Sequence, residues 1–370
     1  MIYLDYAANY PVRDDVLKVL IETEKEYIGN TNSSHEAGLQ AHMKYLSLEK
    51  ELLHLLKLDE NEYDVIFTSG ATESNNLAIK GLYESYNAFG NTLLSSEFEH
   101  SSVNAVMAYL KDKGANVTLV STANEGKLDI NDLKSKLSDD SLILTMAAIE
   151  SEVGTIQDYK KVQETLRGSS CKLLLDATQA IGKMPLDLNG IDMISFGAHK
   201  CGGITGTGVL IKKKDIIFIP LLHGGKSESV YRSGSTPLGL IASFVKAIEL
   251  AISNEEKSFE KVSLLSSYLR KEMLTIKGIR LNSFAENPYI NNFSIEGIRG
   301  GEFVKYLSEN DICISQKSAC SIPQTPSKVI NAIYHDKQRA LSSFRISLSP
   351  LTSKEEIDKL LHAIRSYHAI

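Results

Sequence analysis

Val65-Ile66-Phe67-Thr68-Ser69-Gly70-Ala71-Thr72-Glu73-Ser74-Asn75-Asn76 begins as an apolar run, turns at small residues and continues as a helix from about Thr72 to Tyr86. Val65 to Thr68 has the length and composition of a strand, and Gly70 marks the turn. The unit then recurs. The pattern predicts strands at Thr92 to Ser95, Val117 to Val120, Leu142 to Ala147 and Lys172 to Leu175, with a helix from Ser101 to Lys113. Such alternation argues for an α/β fold with a mostly parallel sheet covered by helices. Ligands of open sheets bind beyond the carboxyl ends of the strands. Polar clusters fall at three such ends: Ser69 to Thr72, Asp176 to Gln179, and Ser195 to Lys200.

A chain of 370 residues is long for one core and suggests two domains. The division expected is a large ligand-binding domain over 13–251 and a small α+β domain over 252–370 together with 1–12. A helical stretch from about Leu240 to Met273 bridges them, with Ile241, Phe244, Val245, Ile248 and Ile252 on one face. With 43% hydrophobic and 23% charged residues the composition is that of a globular protein, and a net charge of -6 argues against direct nucleic-acid binding. Lys212-Lys213-Lys214 reads as a solvated turn. The four cysteines form no CxxC pair, so neither a metal site nor a disulfide framework is expected. The start lacks a leader pattern and no apolar run is long enough to span a bilayer, so no membrane association and a reducing cytoplasm are expected.

Each cluster supports a chemical reading and a plainer one. At Gly70, Ala71 and Thr72 the unsatisfied N–H groups of a helix start suit a phosphate; a helix capped by Ser69 or Thr72 explains the same residues. Asp176 ends a buried-looking strand and needs a partner, which a protonated pyridine nitrogen would provide, as would a capping role. Lys200 follows His199 and precedes the glycine-rich Gly202 to Gly208. A lysine in a restricted site can form a Schiff base with an aldehyde, whereas a loop lysine would merely be solvated. His100 at a strand end can stack on a planar cofactor and move protons, although a lone histidine is more often structural. Cys320, among small loop-forming residues beside Lys317, reads as an exposed thiol favoured as thiolate, or as an incidental loop cysteine. Cys171 and Cys313 read as small buried hydrophobes and Cys201 as packing. Arg345 in Phe344-Arg345-Ile346-Ser347 is an outward charge or a carboxylate clamp, and the local alternation favours the outward charge. The segment from His223 to Thr236 offers anion donors or is a polar loop.

In order along the chain, these segments resemble the cysteine desulfurases, fold type I pyridoxal-phosphate enzymes of the class V aminotransferase kind. The likeness runs through Tyr3-Leu4-Asp5-Tyr6-Ala7-Ala8, Gly29-Asn30 to His35, Thr68 to Ser74, Asp176-Ala177-Thr178-Gln179, His199-Lys200, Arg232-Ser233-Gly234, Ser318-Ala319-Cys320 and Phe344 to Ser347. It implies a large coenzyme-binding domain built on a mostly parallel seven-stranded sheet, and a smaller α+β domain carrying the cysteine loop. Lys200 would hold pyridoxal 5'-phosphate covalently, Asp176 would pair with the ring nitrogen and Gln179 would lie near the ring hydroxyl. His100 would stack on the ring and act as acid or base. Gly70, Ala71, Thr72 and His199 would bind the phosphate, completed by Ser235 from a partner subunit of a homodimer. Arg345 and Asn30 would bind the L-cysteine substrate. Cys320 would take its sulfur, leaving alanine and a persulfide for an acceptor protein, either an iron–sulfur scaffold or a tRNA or thiamine thiolation enzyme. Ser151 stands where the family commonly has an asparagine on the ring hydroxyl, and Gly197 where many members have a phosphate-binding serine. Ser235 replaces a threonine, and Gln316-Lys317 replaces Ser-Gly. Alternatives are a selenocysteine lyase, another class V aminotransferase, or a non-catalytic scaffold of the same fold.

Overall fold

From the amino end the chain forms β1 (Ile2–Tyr3), α1 (Asp14–Glu26), α2 (Glu36–Leu55), β2 (Tyr63–Thr68), α3 (Ala71–Tyr86), β3 (Thr92–Ser96), α4 (Ser101–Asp112) and β4 (Asn116–Val120). It continues through α5 (Ile130–Lys136), β5 (Ser141–Ala147), α6 (Tyr159–Leu166), β6 (Lys172–Asp176), β7 (Met193–Gly197) and β8 (Gly208–Lys213). The computed structural model describes residues 1–225, 227–317 and 325–368. Strands β2 to β8 make one seven-stranded sheet in the order β2-β8-β7-β6-β5-β3-β4. The four pairs from β7 through β6, β5 and β3 to β4 are parallel, as the βα alternation requires. Strand β8 runs antiparallel to both β7 and β2. The short link 198–207 cannot house a crossover helix, so the chain turns back beside β7 instead. Leu173, Leu174 and Leu175 of β6 are all buried, because helices cover both faces of the sheet.

The helical stretch expected from Leu240 to Met273 is two helices, α7 (Leu238–Ser253) and α8 (Glu255–Met273), divided at Asn254. The Asn254 side-chain amide donates to Leu250 O at 2.8 Å, a local bond that competes with helix continuation, and Glu255 and Glu256 suit a new helix start. Helix α7 buries Ile241, Phe244, Val245 and Ile248, and Phe244 stacks on Phe196 of β7 at 5.6 Å.

The remainder forms β9 (Ile279–Leu281), β10 (Ile290–Ile295), α9 (Gly300–Glu309), β11 (Ile312–Cys313), α10 (Lys328–Tyr334), α11 (Lys337–Leu341), β12 (Ser343–Ser347) and α12 (Lys354–His368). Strands β12, β10 and β9 make an antiparallel sheet, and β1 pairs in parallel with β11. Ser347 N donates to Leu4 O at 2.8 Å, which brings the amino-terminal Asp5 to Ala8 alongside β12. Two surface readings need correction. Lys212 is no solvated turn residue: β8 runs through it, its side chain is wholly buried, and its ammonium meets Asp64 at 2.7 Å and the Tyr231 ring at 4.8 Å. Cys171 and Cys201 are buried, but Cys313 is half-buried. Among the described residues no helix is long and apolar enough to cross a membrane.

Candidate active site

A cavity of about 290 Å³ opens at the carboxyl ends of β2, β5, β6 and β7, where the parallel sheet leaves strand ends uncovered. The sheet side supplies Lys200, Asp176, Gln179 and His100. Arg345 of β12 and the amino-terminal Ala7 and Ala8 close the other side.

The helix α3 starts at the cavity without a side-chain cap, so neither Ser69 nor Thr72 plays that part. Its N-cap is Gly70, whose φ of 153° suits glycine alone. A Cβ on Gly208 would sit 2.5 Å from the Gly70 Cα, so the turn lies directly on the start of β8. Glu73 accepts from the Ser69 N–H at 2.7 Å and pairs with Arg232 at 3.1 Å, which fixes the turn from behind. The first-turn N–H groups of α3 have no intrahelical acceptor, and Gly70, Ala71 and Thr72 line the cavity.

Asp176 lies at the end of β6. One carboxylate oxygen accepts from the Thr178 N–H at 3.0 Å and the other from the Asn75 side-chain amide at 2.9 Å. Asn75 also donates to Ser102 Oγ at 2.9 Å and accepts from Ser195 Oγ at 2.5 Å. Ser102 Oγ lies 2.9 Å from Nδ1 of His100, the N-cap residue of α4. Burial and then the Lys200 cation hold His100 below the usual histidine range, against the pull of Asp176. Burial, with the Lys200 and Lys183 cations, brings His199 down to about 4. A Cβ on Gly197 would stand 3.1 Å from His199 Nδ1, so the His199 ring closely approaches the place a serine side chain would take.

Gln179 donates to Ala7 O at 2.9 Å and accepts from Lys183 Nζ at 2.8 Å. Lys183 is buried, and that burial together with the neighbouring Lys200 cation lowers it to about 7. Arg345 overturns the outward-charge reading of its local pattern: its side chain is 1% exposed and faces the cavity. It pairs with Asp5 at 3.0 Å and donates to Ser151 O at 2.7 Å, while its Nε is buried without a partner among the described residues. Ser151 thus lines the cavity and holds the arginine with its backbone.

Asn30 and Ser235 are exposed and line no part of this cavity. Asn30 instead caps a turn, accepting from the Asn32 N–H at 2.9 Å. Cys320 lies outside the described residues. On its two sides, Lys317 Nζ donates to Thr325 O at 3.0 Å and to Thr325 Oγ1 at 2.7 Å, tying the flanking positions together. Sequence reading assigned no role to Asn75, Lys183 or Asp5. Asn75 and Asp5 stood inside quoted segments, but a buried hydrogen-bond partner leaves no signature in spacing. Lys183, four residues after Gln179 in a small-residue turn, was the one detectable signal.

The residues fit pyridoxal phosphate. An uncapped helix start can cradle its phosphate, an oriented carboxylate can meet its ring nitrogen, and a lysine amine can hold its aldehyde. The Thr178 hydroxyl is also buried at the cavity wall without a partner among the described residues. Fold and site together define a pyridoxal-phosphate enzyme, and the chain belongs to the class V aminotransferase family, whose model matches residues 2–360. Within that family it is 34% identical to "Cysteine desulfurase IscS" of Buchnera aphidicola subsp. Acyrthosiphon pisum, over 99% of this chain and 92% of that protein. A solved NifS-like protein superposes with a TM-score of 0.92 at 29% identity, covering 100% of this chain and 99% of the other. A structure described as SspA in complex with cysteine superposes with a TM-score of 0.81 at 27% identity, covering 95% and 100%.

Proposed function

We propose that the protein is a cysteine desulfurase, removing sulfur from L-cysteine to give L-alanine and a persulfide on Cys320. The observation that carries this reading is the convergence of Lys200, Asp176, His100 and a buried Arg345 on one cavity beside the start of α3. When bound, pyridoxal phosphate supplies an aldehyde for an amino group and a ring that accepts electrons from the α-carbon. Asp176 keeps a proton on the ring nitrogen, and Gly70, Ala71, Thr72 and His199 hold the phosphate. Arg345, already fixed by Asp5 and Ser151, takes the substrate carboxylate. Asn30, outside this chain's cavity, would contribute only after a loop movement or from a second subunit. Lys200 or His100 removes the α-proton. The Cys320 thiolate attacks the substrate sulfur, forming an S–S bond as the bond from that sulfur to the β-carbon breaks; the β-carbon takes up a proton in place of the sulfur and the α-carbon regains the proton it lost.

The same reading makes the protein a homodimer in which Ser235 completes the phosphate site of the other subunit. It works in the cytoplasm and passes sulfur to an acceptor, an iron–sulfur scaffold or a tRNA or thiamine thiolation enzyme. Residues 13–251 form the large coenzyme-binding domain, and 252–370 with 1–12 the small one. Borohydride reduction followed by peptide mass spectrometry is expected to place the coenzyme on Lys200. Incubation with L-cysteine is expected to add one sulfur to the Cys320 peptide. Cys320→Ala is expected to lower alanine formation from cysteine by at least 100-fold; an unchanged rate would mean that Cys320 is not the thiol that takes the sulfur.

A further inference from the structure

We propose that Asn75 is a positioning residue that orients Asp176 and, through Ser102, keeps Nδ1 of His100 free of a proton, so that the ring is a neutral hydrogen-bond donor through Nε2. The roles of Asp176 and His100 rest on the reading above; the direction of the hydrogen bonds does not.

The direction follows from groups that can only donate or only accept. Asn75 is fully buried on α3. The Asp176 carboxylate can only accept, so the group facing it at 2.9 Å is the Asn75 amide nitrogen. Asn75 Oδ1 is then left for Ser195, whose hydroxyl donates at 2.5 Å. The second Asn75 N–H reaches Ser102 Oγ at 2.9 Å. Having accepted there, the Ser102 hydroxyl turns its hydrogen to His100 Nδ1 at 2.9 Å. The Ser102 backbone N–H, which can only donate, faces the same nitrogen at 3.2 Å. Two donors on one ring nitrogen leave no room for a proton, so the neutral ring carries its hydrogen on Nε2. Protonating the ring would break both bonds. The titratable groups acting on His100 are Lys200 and Asp176, with His199 beside them. Lys200 opposes protonation of His100 and Asp176 favours it. Its chain neighbour Glu99 is engaged by Ser96 and the Ala147 N–H. A neutral imidazole of this tautomer donates a hydrogen bond and collects no proton at Nε2, which assigns removal of the α-proton to Lys200. The same asparagine sets the plane of the Asp176 carboxylate, because each oxygen meets one fixed donor.

The test is a long-range ¹H–¹⁵N spectrum of the full-length protein labelled in histidine, with His100→Gln used to assign the His100 signals. The expected wild-type spectrum is a neutral Nε2–H ring at pH 7; an Nδ1–H ring overturns the proposal without any variant having to fold. Ser102→Ala is expected to raise the proton affinity of His100 roughly tenfold, the scale of one lost hydrogen bond, and Ser102→Thr to restore it. Asn75→Ala is expected to do the same and also to weaken coenzyme binding at least tenfold, with a shift in its visible absorption that Ser102→Ala lacks. Unchanged His100 titration in both variants, or unchanged coenzyme binding in Asn75→Ala, overturns the proposal. Failure of borohydride to label Lys200 would instead remove the desulfurase reading and leave the tautomer result standing.

Discussion

At the scale of single residues, the least expected feature is a buried lysine, Lys183, close to the half-buried Lys200. Lys183 donates to Gln179 at 2.8 Å, and burial lowers it from 10.5 to about 7. The unfolded chain therefore binds more protons than the folded one between about pH 7 and 10.5, so folding gains stability as pH rises through that window. Below pH 7 both states carry the proton and the full penalty of a buried cation remains. Lys183→Met removes that penalty but leaves the Gln179 oxygen without its donor, a cost of about 1–3 kcal/mol that does not vary with pH. Melting temperatures measured from pH 7 to 10 are expected to rise for the wild type relative to Lys183→Met. Parallel curves would mean that Lys183 stays charged in the folded protein.

At the scale of elements, the site depends on how closely β8 approaches the turn between β2 and α3. A Gly208→Ala methyl would sit 2.5 Å from the Gly70 Cα, and neither backbone can yield without moving the start of α3. Overpacking of this kind costs about 1–3 kcal/mol. Gly208→Ala is expected to lower the denaturant midpoint and to weaken coenzyme binding more than tenfold; an unchanged affinity would show that the turn is not the phosphate cradle. This scale also explains what could be read from sequence. Strands β2 to β6 and the helices α3 and α4 follow from apolar runs and helical periodicity, and their ends fall within a few residues of expectation. Strand β8 was legible only as a lysine run, because Lys212 lies buried against Asp64 and Tyr231, and such a partner is invisible in one dimension. The break at Asn254 went unread because apolar periodicity persists across it. Arg345 misled for a related reason: alternation told that the residue sits in a strand, but its inward turn is set by Asp5, far away in sequence. Lys200, Asp176, His100 and Gln179, named from the sequence, line the cavity, whereas Asn75 emerged only from its hydrogen bonds.

At the scale of the whole molecule, one proposed coenzyme ligand stands apart from the rest. Ser235 is exposed and outside its own chain's cavity, while Lys200 lines it, so the phosphate role proposed for this hydroxyl calls for a neighbouring subunit. The 40.8 kDa chain is then expected to sediment at twice that mass. Loss of one hydrogen bond to a charged phosphate costs about 1.5–3 kcal/mol, so Ser235→Ala is expected to weaken coenzyme affinity roughly 10- to 100-fold. Lys200→Ala is expected to abolish covalent coenzyme attachment. Dimers that combine one chain of each variant settle which subunit gives the hydroxyl. If Ser235 reaches across, the Ser235→Ala chain keeps Lys200 and receives an intact Ser235 from its partner, which regenerates one complete site per hybrid dimer. Hybrids purified by two affinity tags are expected to hold one coenzyme with wild-type affinity, read from visible absorption after equilibration at limiting pyridoxal phosphate. If Ser235 served its own chain, the hybrid would contain one site without the lysine and one without the hydroxyl, and every coenzyme bound would dissociate as readily as from Ser235→Ala alone.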